Sequence, residues 1–168
     1  GPKLAALGWR VAAPDLRGYG DSSRPGDRGA YRLAHLTADV RALFEALGAR
    51  RGGSGRRILI GHDWGGIIAW AAAMESGLDL DGLAILNAPH PAVYQRVARR
   101  NLRQLARSWY VFAFQLPHLP EAQLRRDGGR WLKGVLRRAS AAIPDEALET
   151  YARNIARPGA AKAMIDYY

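Results

Sequence analysis

The sequence predicts an α/β fold with parallel strands, followed by an all-helical region. Three observations carry that prediction. Ile58-Leu59-Ile60 and Leu83-Ala84-Ile85-Leu86 are short apolar runs of strand length. Between them Ile67 to Met74, read IIAWAAAM, is an Ala-rich stretch with high helix propensity. Beyond Pro89 no strand pattern recurs, and the apolar positions follow helical spacing instead.

In chain order, residues 1–8 read as a helix end stopped at Gly8, and Trp9 to Ala13 as a strand ended by Pro14. Asp21 to Ala30 is rich in Gly, Ser, Asp and Pro, the composition of a loop. Leu36, Val40, Leu43, Phe44 and Leu47 recur at helical spacing, which predicts a helix over Thr37–Leu47 closing at Gly48. A polar turn at 49–55, a strand at 57–61, a helix at 65–76 and a strand at Leu83–Leu86 follow. Strand, helix, strand, helix, strand is the alternation of a parallel sheet. A boundary near 88–91 is expected to divide a core segment, residues 1–89, from a helical segment, residues 90–168.

The composition excludes several classes of function. Net charge is +10, from 25 basic and 15 acidic residues, with dense basic patches at 50–57, 96–107 and 125–138. Trp131 is the one aromatic within these patches, so a series of aromatics interleaved for base stacking is not evident; no nucleic-acid-binding motif is present, and the charge reads as solvated surface. No nucleic-acid partner is expected. Cysteine is absent, which rules out disulfides and thiol chemistry and is compatible with a cytoplasmic setting. No apolar run approaches the roughly 20 residues that span a bilayer. His35, His62, His90 and His118 lack metal-ligand spacing, and neither a metal nor another cofactor is implied.

The chemistry concentrates in Gly61-His62-Asp63-Trp64-Gly65-Gly66, between a strand and a helix. A strand, a tight turn flanked by Gly61 and Gly65 and then a helix is a nucleophile elbow. Glycine permits close backbone approach, and Asp tolerates the positive φ such a turn demands. An ionised carboxylate needs no base to activate it, and the N–H groups at a helix start favour an anion there. Carboxylates attack alkyl carbons that carry a strained or good leaving group, and the ester so formed is then hydrolysed. The backbone N–H of Trp64 is placed to serve that second step as an oxyanion donor. The plainer alternative is that Asp63 only caps the following helix.

These residues resemble the nucleophile motif of α/β-hydrolase-fold epoxide hydrolases. Trp9-Arg10-Val11-Ala12-Ala13-Pro14-Asp15-Leu16-Arg17-Gly18-Tyr19-Gly20-Asp21-Ser22 is similar to that family's fourth strand and the loop leaving it. Leu86-Asn87-Ala88-Pro89-His90-Pro91 resembles the point where its cap is inserted. The resemblance implies an α/β-hydrolase core segment followed by a helical cap, incomplete at both ends. The second oxyanion donor would lie in a His-Gly-x-Pro loop before residue 1, and the water-activating Asp and His after residue 168. The strand that separates 9–13 from 57–61 in this fold is also missing, which leaves 9–13 without its central neighbour. A whole protein of roughly 280–300 residues is expected, with this portion alone inactive in turnover.

The resemblance also supplies the acid. In these enzymes two cap tyrosines hold the epoxide oxygen, and a phenol with its ordinary pKa near 10 can pass a proton to the developing alkoxide. Ser108-Trp109-Tyr110-Val111-Phe112-Ala113-Phe114-Gln115-Leu116-Pro117 resembles the segment bearing the first, matched by Tyr110. Ile165-Asp166-Tyr167-Tyr168 resembles the segment bearing the second, taken as Tyr168 with Tyr167 open. Trp109, Phe112 and Phe114 read as apolar wall, and Trp64 and Trp109 as substrate-side residues for a small hydrophobic epoxide. Taken singly, such tyrosines are as well read as packing. Two other readings stand beside this one: a haloalkane dehalogenase, in which the indole N–H of Trp64 would grip a halide, and a non-catalytic binding protein on a degenerate α/β-hydrolase fold.

Overall fold

The computed structural model describes residues 1–49, 55–75, 78–98, 109–116 and 118–168. Most of the expected turn at 49–55, most of the basic stretch 96–107, and Ser108 and Pro117 lie outside these residues. The described elements are α1 (Pro2–Ala6), α2 (Leu33–Ala49), β1 (Ile58–His62), α3 (Trp64–Met74), β2 (Gly82–Leu86) and α4 (Pro91–Ala98), then α5 (Trp109–Ala113), α6 (Leu119–Arg125), α7 (Arg130–Ala139), α8 (Asp145–Ala156) and α9 (Ala160–Asp166). Two 3₁₀ turns, Arg28–Tyr31 and Arg126–Gly129, complete the set. Among the described residues after Pro91 every regular element is helical, as the spacing predicts.

The chain divides into two compact units, Gly1–Gly26 with Glu121–Met164, and Asp27–Pro120 with Ile165–Tyr168.

In the second unit β1 and β2 pair in parallel, from Ile58 opposite Gly82 to His62 opposite Leu86. Parallel neighbours need a crossover, and α3 supplies it. That helix buries Ile68, Ala69, Ala71 and Ala72. Removing a side chain such as Ile68 from water stabilises by about 1.5–3 kcal/mol. From α2, Leu36 and Thr37 are buried with them, and the Thr37 hydroxyl is satisfied by donating to Ala34 O at 3.1 Å and Glu75 Oε1 at 3.0 Å. The helix starts four residues before its expected position, at Leu33, just after the Arg28–Tyr31 turn. Asp27 caps that turn by accepting the Gly29 N–H at 3.1 Å, an arrangement the loop composition of 21–30 did not reveal.

In the first unit Gly129, at φ +78°, lets the chain pass close to α8, where an added Cβ would lie 3.1 Å from Ala152 Cα. Leu148, Ala152 and Ile155 of α8 are buried there. At residues 15–22, Asp15 Oδ2 accepts the Asp21 N–H at 3.2 Å, and the Ser22 hydroxyl donates to Asp15 O at 2.6 Å. Arg157 donates to Gly20 O at 2.6 Å and to Asp21 Oδ1 at 2.7 Å.

Trp9 to Ala13, expected as a strand, is not one. Residues 9–16 form no ladder, and Val11 is 40% exposed. A strand exists through its neighbour's N–H and C=O groups, and the described sheet contains β1 and β2 only.

Candidate active site

The turn between β1 and α3 is a strained point of the second unit, as are Asn87 and His118, also at positive φ. Asp63 sits at φ 51°, ψ −121°, a conformation that costs a non-glycine residue about 1–3 kcal/mol. Its main chain is held on both sides: the N–H donates to Leu86 O at 3.1 Å, and the carbonyl accepts Ile67 N–H at 3.0 Å. Two glycines make room for this. A Cβ on Gly61 would fall 2.7 Å from Gly65 C and 2.8 Å from Gly66 Cα, and one on Gly66 would fall 2.6 Å from Ala88 Cβ. Gly65, which the sequence pattern singles out as the second flanking glycine, faces open space instead. The close-approach partner of Gly61 is therefore the Gly65–Gly66 backbone, with Gly66 needed against Ala88.

The Asp63 side chain makes no capping hydrogen bond to α3, although it stands at the N-cap position. The residue is exposed. This argues against the plain capping reading, in which the carboxylate would be spent on the N–H groups of the first turn.

Near it lies a set of aromatic rings. Trp64 packs edge-on against Tyr168, with centroids 5.2 Å apart, and against Tyr167 at 5.5 Å. Tyr110 stands 5.9 Å from Tyr168 and 5.9 Å from Phe114, and Phe114 lies 5.0 Å from Tyr168. Edge-to-face pairs of this kind contribute about 0.5–1.5 kcal/mol each beyond the area they bury. Tyr167 is buried and meets Tyr31 at 5.7 Å. Trp109, at the start of α5, is 67% exposed, and among the described residues its ring joins no aromatic pair.

Electrostatics ties the two phenols to the carboxylate. Burial raises the Tyr110 phenol above its ordinary value, and the Asp63 carboxylate, with Tyr94 as a lesser neighbour, pushes it further up. Burial likewise raises Tyr168; a hydrogen bond from the Trp64 indole opposes this, while Tyr110 and Asp63 add to it. Both phenols therefore remain protonated donors at neutral pH, close enough to feel the Asp63 charge. The Trp64 N–H is engaged with Tyr168.

Of the histidines, His90 takes a structural place. His90 accepts the Ala92 N–H at 3.2 Å and packs on Trp70, with centroids 4.7 Å apart. His62 is exposed at the end of β1. Among the described residues no three His, Asp or Glu side chains converge to hold a metal, and no helix is long and apolar enough to cross a membrane. Sequence reasoning missed Tyr94, a lesser influence on the Tyr110 phenol, and gave no role to Gln115, which donates to the main-chain oxygen of Tyr168 at 3.1 Å. Tyr94 carries no motif, and Gln115 lies in the 108–117 segment without its type or spacing setting it apart there.

Known proteins share this fold. Residues 1–161 match the family model described as alpha/beta hydrolase fold. Epoxide hydrolase 4 of Mus musculus is 35% identical over 167 residues, covering 95% of this chain and 45% of that relative. Among solved structures, one described as a novel epoxide hydrolase from metagenomes of hot environments superposes with TM-score 0.76 at 33% identity, over 93% of this chain and 51% of that one. A point mutant of a Bacillus megaterium epoxide hydrolase, complexed with its product (R)-3-[1]naphthyloxy-propane-1,2-diol, superposes with TM-score 0.77 at 28% identity, over 91% and 52%. The chain spans about half the length of the relatives it matches. By its fold, its elbow and these likenesses, the chain belongs to the α/β-hydrolase-fold family, and many of the relatives it resembles there are epoxide hydrolases.

Proposed function

We propose that this chain carries the nucleophile and the acids of an epoxide hydrolase. A carboxylate oxygen of Asp63 attacks a ring carbon, and a new ester C–O bond forms as the ring C–O bond breaks. The electron pair moves to the former ring oxygen, which takes a proton from Tyr110 or Tyr168. The product is a hydroxyalkyl ester on Asp63. Water would then cleave the ester to a vicinal diol, with the backbone N–H of Trp64 available to the tetrahedral oxyanion, since the first N–H groups of a helix have no intrahelical partner.

The observation that carries this reading is an exposed, uncapped carboxylate on a strained turn, electrostatically coupled to two protonated phenols. The relative whose bound product is a diol supports the same chemistry. Halide capture is less well supported, because the Trp64 indole N–H is already given to Tyr168.

The test follows from the chemistry of the first step, which needs only groups of this chain. Incubation with styrene oxide is expected to raise the intact mass by the whole mass of the epoxide, because ring opening is an addition. Incubation with chlorobutane is expected to leave it unchanged. Butylation with chloride release and no reaction with the epoxide would overturn the proposal.

A further inference from the structure

Tyr168 must stand at a fixed place beside Asp63 to act, and only Tyr167 separates it from the end of α9. Two polar residues far off in sequence hold it there. Gln115, just after α5, donates from Nε2 to the main-chain oxygen of Tyr168 at 3.1 Å and to Val111 O at 3.3 Å. Its Oε1 accepts from Arg28 Nη2 at 2.6 Å. A guanidinium can only donate, so Arg28 fixes which end of the amide is which. With Oε1 held by Arg28, Nε2 must face the two carbonyls. The Arg28–Tyr31 turn that presents Arg28 also presents Tyr31, which packs on Tyr167 at 5.7 Å. Residues 167 and 168 are thus held by a ring contact at one and a hydrogen bond at the other.

We infer that Gln115, its amide oriented by Arg28, is a positioning residue that sets where the Tyr168 phenol stands relative to Trp64 and Asp63. The inference rests on the reaction proposed above. It adds that the Arg28–Tyr31 turn, outside both the elbow and the tyrosine-bearing segments, takes part in arranging the acid.

Gln115→Glu tests it. The variant keeps the shape and the acceptor for Arg28, but sets a second acceptor against Val111 O and Tyr168 O. Two readouts are used: the rate at which styrene oxide alkylates the protein, and the indole N–H resonance of Trp64. Tyr168→Phe marks where that resonance lies once the phenol is gone. Gln115→Glu is expected to slow alkylation by about 10- to 100-fold, the scale of a small misplacement, and to move the Trp64 resonance toward its Tyr168→Phe position. Arg28→Ala should do the same more weakly and Arg28→Lys should recover most of the loss, which guards against a folding defect at position 115. An unmoved Trp64 resonance in Gln115→Glu would overturn the inference, and so would a moved resonance with undiminished alkylation. If the unsubstituted protein is not alkylated at all, the proposed reaction fails, and the Trp64 resonance alone then decides whether Gln115 positions Tyr168.

Discussion

Two aspartates follow stretches of strand character in this chain, Asp15 after Trp9–Ala13 and Asp63 after Ile58–Gly61, and they have opposite fates. Asp15 is spent on its own loop: its carboxylate accepts the Asp21 N–H, and it lies against Gly20, where an added Cβ would fall 2.6 Å from Oδ1. Asp63 has its main chain bonded on both sides while its carboxylate makes no capping bond. The difference lies in the backbone. A ladder and a helix hold Asp63 at positive φ without help from its side chain, whereas the stretch before Asp15 forms no ladder and the loop after it adds side-chain bonds to its own main-chain ones, such as Gly18 N–H to Ser23 O at 2.8 Å. Chemistry becomes available where the backbone alone carries the structure.

After loss of the nucleophile itself, the largest expected effect falls on the acids. Tyr110→Phe and Tyr168→Phe together should slow alkylation by Asp63 by about 10²- to 10⁴-fold, the usual range for general acid catalysis. Asp15→Asn should leave that rate within a factor of about two, since its carboxylate is committed to its own loop. Equal losses from the two would erase the contrast between these aspartates.

Next comes the frame. Gly61→Val puts a side chain where the Gly65–Gly66 backbone already lies, and should cost about 2–4 kcal/mol in denaturant unfolding. Ala12→Val, in the exposed stretch without a ladder, should stay within about 0.5 kcal/mol. A comparable cost at both positions would mean that 9–13 is paired after all.

The smallest effect is that of pH. Both phenols are raised above their ordinary value of 10.0, so alkylation should hold through pH 10 and decline only above it. Stability follows the same sign. Below pH 10 both folded and unfolded chains keep these protons; above it the unfolded chain releases them first, so stability falls until the folded phenols ionise too. A decline in alkylation beginning at pH 8 would assign the proton to another group.

Much of this was legible in the sequence where a local pattern and its partner lie close together. β1, the turn and α3 are contiguous, and β2 follows soon after α3. Trp9–Ala13 has the same local pattern but no ladder neighbour among the described residues, and composition does not report pairing. The role of Gly66 rather than Gly65 was hidden because it depends on Ala88, beyond the far end of β2. Arg28 and Gln115 were invisible for a similar reason. Both are exposed polar residues 87 positions apart, and nothing in either segment announces the other.

The central claim is that Asp63 itself forms the bond to carbon. The direct test is peptide mapping by mass spectrometry after brief exposure to styrene oxide, with Asp63→Asn in parallel and early time points, before the asparagine can deamidate. The account predicts one ester, on the peptide containing Asp63, and none in the variant. An adduct that maps elsewhere, or one that forms equally in Asp63→Asn, would contradict it.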